Sequence, residues 1–117
     1  MASSNEAAVQ NKIRLALSRG PIRLFRNNTG ALKDQKGRLV TFGLCKGSSD
    51  LIGWTTIEIT PDMVGKKVAV FTAIEVKDKG KATDYQRLFI DLVNSFGGYA
   101  GVAKSVQEAQ KILFGNK

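Results

Sequence analysis

The spacing of hydrophobic residues changes period several times along the chain, and each change marks an element. Val9, Ile13, Ala16 and Leu17 recur at helical spacing and predict a helix over residues 3–18. Ser3 with Glu6 has the form of a capping box that opens this helix, and Gly20-Pro21 stops it. Ile22 and Leu24 then alternate with Arg23, which predicts a short strand over 22–26. The run "NNTGALKDQKG" is rich in turn formers and reads as an exposed loop, and a second strand follows over 38–44. Two further strands are expected over 50–59 and 67–77. Thr60-Pro61-Asp62-Met63-Val64-Gly65 lies between them and carries turn chemistry, so the two are expected to form an antiparallel hairpin. Tyr85, Leu88, Phe89, Leu92, Val93 and Phe96 cover a wide arc of a helix over 83–96 that ends at Gly97-Gly98. A strand over 99–103 and an amphipathic helix over 106–114, closed by Gly115, complete the chain. The order α-β-β-β-β-α-β-α predicts an α/β domain with a central mixed β-sheet flanked by helices.

One strand breaks its own pattern. Val68, Val70, Ile74 and Val76 share a face, which leaves Glu75 and Lys77 together on the other. Pairing Asp50 with Glu75 across the expected hairpin puts the midpoint between Asp62 and Met63, inside the predicted turn. Their Cβ atoms would then stand about 5 Å apart. Two carboxylates at that separation repel unless a cation lies between them, which points to a divalent metal. Lys77 beside that metal would position or help deprotonate a water. Glu6 falls within about 20° of Ile13 and Leu17 on the first helix, so it is expected to face the core. Gln86 stands in the same relation to Val93. Plain structural readings exist for each residue. Glu6 suits the capping box, Lys77 a strand end reaching for water, Gln86 the first turn of a helix, and Gly47 and Gly80 simple turns.

Composition narrows the chemistry further. At 117 residues there is room for a single core. The 43% hydrophobic and 24% charged residues are ordinary for a globular protein. There is one cysteine, Cys45, and no histidine, which excludes internal disulfides, Cys/His zinc sites and His-dependent triads. A metal must therefore be held by oxygen, which favours Mg²⁺ or Mn²⁺. No apolar run approaches the roughly 18 residues of a membrane span, and residues 1–12 lack the features of a secretory signal. The expected setting is intracellular, with no membrane partner. The net charge of +8 favours a polyanionic partner. Arg23, Arg26, Lys33, Lys36, Lys46, Lys79 and Lys81 are the candidates for holding a nucleic-acid backbone.

Three stretches carry a family resemblance: "GSSDLIGW" (47–54), "AIEVKDKGKATDYQ" (73–86) and "GGYAGVAKSVQEA" (97–109). Together they resemble the virus-type replication-repair nuclease domain, VRR-NUC, a branch of the PD-(D/E)XK nucleases, over nearly the whole chain. Ser49 stands where the superfamily name has proline. The resemblance implies a restriction-endonuclease-like PD-(D/E)XK core and a Mg²⁺- or Mn²⁺-dependent deoxyribonuclease. It implies that Asp50, Glu75 and the Val76 main-chain carbonyl ligate the metal. Lys77 would be the catalytic lysine, and Glu6 and Gln86 would complete the polar site. Stand-alone viral members resemble Holliday junction resolvases, which makes branched DNA the expected substrate and a homodimer the expected form. Multidomain members resemble flap or end-processing nucleases, the alternative activity. A non-catalytic basic nucleic-acid-binding domain is the other alternative.

Overall fold

The computed structural model describes residues 4–115, so Ser3 of the expected capping box lies outside the described residues. Among the described residues, six strands, three α-helices and a short 3₁₀ turn make a mixed α/β arrangement: α1 (Ser4–Leu17), β1 (Ile22–Arg26), β2 (Gly30–Lys33), β3 (Leu39–Phe42), β4 (Leu51–Thr55), the 3₁₀ turn Pro61–Met63, β5 (Thr72–Val76), α2 (Asp84–Ser95), β6 (Tyr99–Ala103) and α3 (Val106–Phe114). The strands pair two by two, in place of one central sheet. By its contacts the chain forms two compact units that divide after Thr55.

In the first unit β1 pairs antiparallel with β4, with Leu24 opposite Gly53 and Arg26 opposite Leu51. The ladder gains one bond beyond the strands, from the Asn27 amide to the Asp50 carbonyl at 2.8 Å. Phe25 and Trp54 stack obliquely with ring centroids 5.4 Å apart. β2 pairs antiparallel with β3. This strand was expected to be a loop, because only Ala31 and Leu32 are apolar in a run of turn formers. The hairpin exists because Asp34 closes its turn, accepting from the Lys36 and Arg38 amides at 2.9 Å each and from Arg38 Nε at 2.8 Å.

Helix α1 packs on β1 with a different face from the one its apolar stripe predicts. Ala7, Gln10, Arg14 and Ser18 are half-buried, whereas Val9, Ile13 and Leu17 are 41–53% exposed. Ser18 sets this roll: its hydroxyl accepts from the Leu24 amide at 2.9 Å and donates to the Leu24 carbonyl at 3.4 Å.

The second unit is a β-α-β-α arrangement. β5 and β6 pair in parallel, with Glu75 opposite Val102. A parallel pair needs a crossover, and α2 supplies it. Thr83 and Gln86 form a reciprocal capping box at the start of α2. At its end the Asn94 amide bridges to β6, donating to the Ala100 carbonyl at 3.0 Å and accepting from its amide at 3.1 Å. Gly98 sits where a Cβ would come within 2.7 Å of Val93 Cγ1 and 2.8 Å of the Phe71 carbonyl, so only glycine permits this entry to β6. Among the described residues, Val93, Ala82, Ala100 and Ala103 are the buried apolar side chains. Burying Val93 is worth about 1.5–3 kcal/mol. α3 opens on Ser105, whose hydroxyl accepts from the Glu108 amide at 3.1 Å.

The expected hairpin over 50–77 does not form. β4 takes β1 as its antiparallel partner, β5 takes β6, and residues 56–71 contain no strand. Ile57 and Ile59, expected to lie in a strand, are 51% and 79% exposed. No helix among the described residues is long and apolar enough to cross a membrane.

Candidate metal and nuclease site

Strand alternation and the first turn of a helix together build the polar centre of the second unit. Glu75 and Lys77 lie two positions apart at the end of β5, and their side chains meet with Lys77 Nζ 3.7 Å from Glu75 Oε2. Gln86 reaches the same oxygen from α2, donating from Nε2 at 3.1 Å. The capping box explains how Gln86 is aimed. Its Oε1 is held by the Thr83 amide at 2.9 Å, which turns Nε2 toward β5. Gln86 thus makes two contacts: one end caps the helix and the other donates to the Glu75 carboxylate. Lys77 is anchored in turn by its own amide, which donates to the Ala103 carbonyl at 3.0 Å.

Both contacts to Glu75 fall on Oε2, and the Glu75 and Lys77 side chains remain 31% and 21% exposed. The carboxylate is thus oriented yet reachable from solvent. It borders an open pocket of about 260 Å³, walled by Ile74 of β5 and by Tyr85, Phe89 and Ile90 of α2. The expected aliphatic anchor behind the pair is only partly present. Ile74 is half-buried, but Val76, the last residue of β5, is 73% exposed, and Val70, in the segment before Thr72 that is not strand, is 41% exposed.

In the first unit Asp50 is exposed and immediately precedes β4. Its expected position opposite Glu75 in a hairpin is not what the register gives, since β4 is laddered to β1. Glu6 also departs from expectation. It is exposed on the first turn of α1, because the roll of the helix turns Ala7 and Gln10, both half-buried, inward instead. Among the described residues no three acidic, histidine or cysteine side chains gather in one cluster. Mg²⁺ does not require such a cluster. It is commonly held by one or two carboxylates, with waters and substrate phosphates filling the other positions. A reachable, oriented carboxylate followed by the Val76 carbonyl fits such an ion in donor chemistry.

Of the basic candidates, Arg26, Lys33, Lys36, Lys46, Lys79 and Lys81 are exposed. Arg23 is different: it is half-buried, and its Nη1 donates to the Gly20 carbonyl at 3.1 Å and the Ile22 carbonyl at 2.6 Å. Its guanidinium is spent on the turn that leads into β1. Asn27 was not anticipated at all. It is the buried polar side chain among the described residues, at 8% exposure, and it lies beside Asp50.

No curated protein and no solved structure matches the chain. The family model of the VRR-NUC domain matches residues 5–107, a span that includes Asp50, Glu75, Lys77 and Gln86. The chain belongs to the VRR-NUC family of nuclease domains.

Proposed function

We propose that this chain is a metal-dependent, structure-specific DNA endonuclease that acts as a dimer on four-way junctions. The observation that carries the reading is the Glu75 carboxylate, held by Gln86 at 3.1 Å and flanked by the Lys77 ammonium at 3.7 Å within a nuclease-family domain. The family resemblance assigns Asp50, Glu75 and the Val76 carbonyl as ligands of Mg²⁺ or Mn²⁺. The ion, when bound, supplies an acidified water and offsets charge on the phosphate. Lys77 donates a hydrogen bond to the attacking water or to a non-bridging phosphate oxygen, and so fixes the line of attack. Gln86 and Lys77 both contact Glu75 Oε2, and together they hold the carboxylate in one orientation. Hydrolysis forms one P–O bond from water and breaks another; the water loses a proton and the departing oxygen gains one. The exposed lysines and Arg26 hold phosphates without reading bases.

Dimerisation follows from the substrate. A four-way junction presents two equivalent strands for cutting, and a twofold pair of protomers presents two symmetric sites. Synthetic four-way junctions, flaps and linear duplex incubated with Mg²⁺ test the whole reading. Preferential paired cutting of the junction, with a dimer in light scattering, is the expected result. Equal cutting of all three substrates or a strict monomer would remove the junction reading. Tight binding without cleavage would leave a nucleic-acid-binding domain.

A further inference from the structure

We infer that Asn27 is a positioning residue that sets the main chain leading into Asp50. This rests on the proposed role of Asp50. Residues 44–50 connect the β2–β3 hairpin to β4, and Leu44 is 64% exposed with Cys45 exposed beside it, so apolar packing does not hold this loop. Asn27 holds it instead, at four points. Its main-chain amide donates to the Asp50 carbonyl at 2.8 Å. Its Oδ1 accepts from the Leu44 amide at 2.9 Å, at the start of the loop. Its Nδ2 donates to Ser48 Oγ at 2.7 Å and to the Ser49 carbonyl at 2.9 Å, just before Asp50. Ser48 passes the restraint on, donating to the Cys45 carbonyl at 2.6 Å. Gly47, with φ +87°, makes the reversal this requires.

The amide cannot be replaced by a side chain that is merely similar in size. Oδ1 faces an N–H and Nδ2 faces a C=O, so the network has one polarity, and a buried amide with both ends satisfied dictates direction where an apolar group would only fill space. Asp50 stands exposed immediately before β4, and its carbonyl and the preceding peptide are both tied to Asn27. Asn27 thereby transmits the rigidity of β1 to the carboxylate, as residues supporting a metal ligand do.

Asn27→Asp tests this in the full chain. It preserves size and the acceptor toward Leu44, but turns a carboxylate oxygen against the Ser49 carbonyl. Two readouts are taken besides cleavage: hydrogen exchange of the amides at residues 44–50, and Mn²⁺ affinity measured without DNA by electron paramagnetic resonance. The expected result is faster exchange confined to that loop, with Mn²⁺ affinity lowered about 10-fold. Ser48→Ala, which removes a single partner, is expected to shift both readouts in the same direction by less, and serves if Asn27→Asp does not fold. Unchanged Mn²⁺ affinity in a folded Asn27 or Ser48 variant overturns the inference even where stability falls. Asp50→Ala separates this failure from failure of the nuclease reading. If it binds Mn²⁺ and cleaves like the wild type, Asp50 is no ligand and the purpose assigned to Asn27 falls while the nuclease reading stands; a wild type that neither binds Mn²⁺ nor cleaves DNA overturns the proposed function itself.

Discussion

Gln86 does two jobs through two atoms, and the two can be separated. Gln86→Glu keeps an acceptor for the Thr83 amide, since Glu serves a capping box as well as Gln does. The same change removes the donor that reaches Glu75 at 3.1 Å and sets two carboxylates against each other. Cleavage is therefore expected to fall by about 10- to 100-fold, the usual effect of losing a group that supports a metal ligand, while the melting temperature moves little. Thr83→Ala should do the reverse, costing about 1 kcal/mol of stability while the site stays intact. Kinetics and thermal melts on the pair decide it; equal losses of activity and stability in both would mean that Gln86 is only a cap. The Glu75–Lys77–Gln86 cluster was legible in the sequence because its logic is local: two positions on one strand face and a first-turn residue on the next helix. Asn27 was not. Nothing nearby distinguishes it from Asn28, and its side-chain partners lie 17 to 22 residues away.

The same contrast holds for whole elements. The limits of α2, β6 and α3 could be read from caps and glycines, because a helix end is decided by the few residues that satisfy its orphan groups. Strand partners could not, because pairing is decided by residues far apart in the chain. Thr60 to Gly65 reads as a hairpin turn but is a 3₁₀ turn in a segment without strands. The β2–β3 hairpin went unseen because its stability rests on one turn carboxylate more than on an apolar pattern. That carboxylate offers a test. Hydrogen bonds from the Arg38 amide, chiefly, then from the Arg38 side chain and the Lys36 amide, hold the Asp34 carboxyl below its ordinary value of 3.8. A carboxyl that ionises at lower pH when folded stabilises the fold fully above the ordinary range, and the contribution is lost as pH falls through the lowered folded value. Acidification should therefore shift the Lys36 and Arg38 amide resonances together, with a midpoint below 3.8. Asp34→Asn should abolish that titration. A midpoint at or above the ordinary value would show that these bonds do not form in solution.

At the scale of the molecule, a charge of +8 on 117 residues sets how nucleic acid is held more than where it is cut. Each lysine or arginine that neutralises a phosphate releases counterions, so affinity falls as salt rises, with a log–log slope of about −0.9 per contact on duplex DNA. Arg26, Lys33, Lys36, Lys46, Lys79 and Lys81 are all exposed. If all of them contact phosphates, binding should weaken about 10³-fold between roughly 50 and 200 mM salt. Fluorescence anisotropy with a labelled junction, with Ca²⁺ in place of Mg²⁺ to suppress cutting, measures that slope. Replacing any one of these residues with alanine should flatten it by about one contact, and the loss should be similar on every DNA sequence. Arg23 supplies the internal control, because its guanidinium is bonded to the Gly20 and Ile22 carbonyls. Arg23→Ala should lower the melting temperature by loosening the turn into β1, yet leave the salt slope where it was. A flattened slope for Arg23→Ala, or an unchanged slope for the exposed residues, would mean that phosphates are held by a different set of cations.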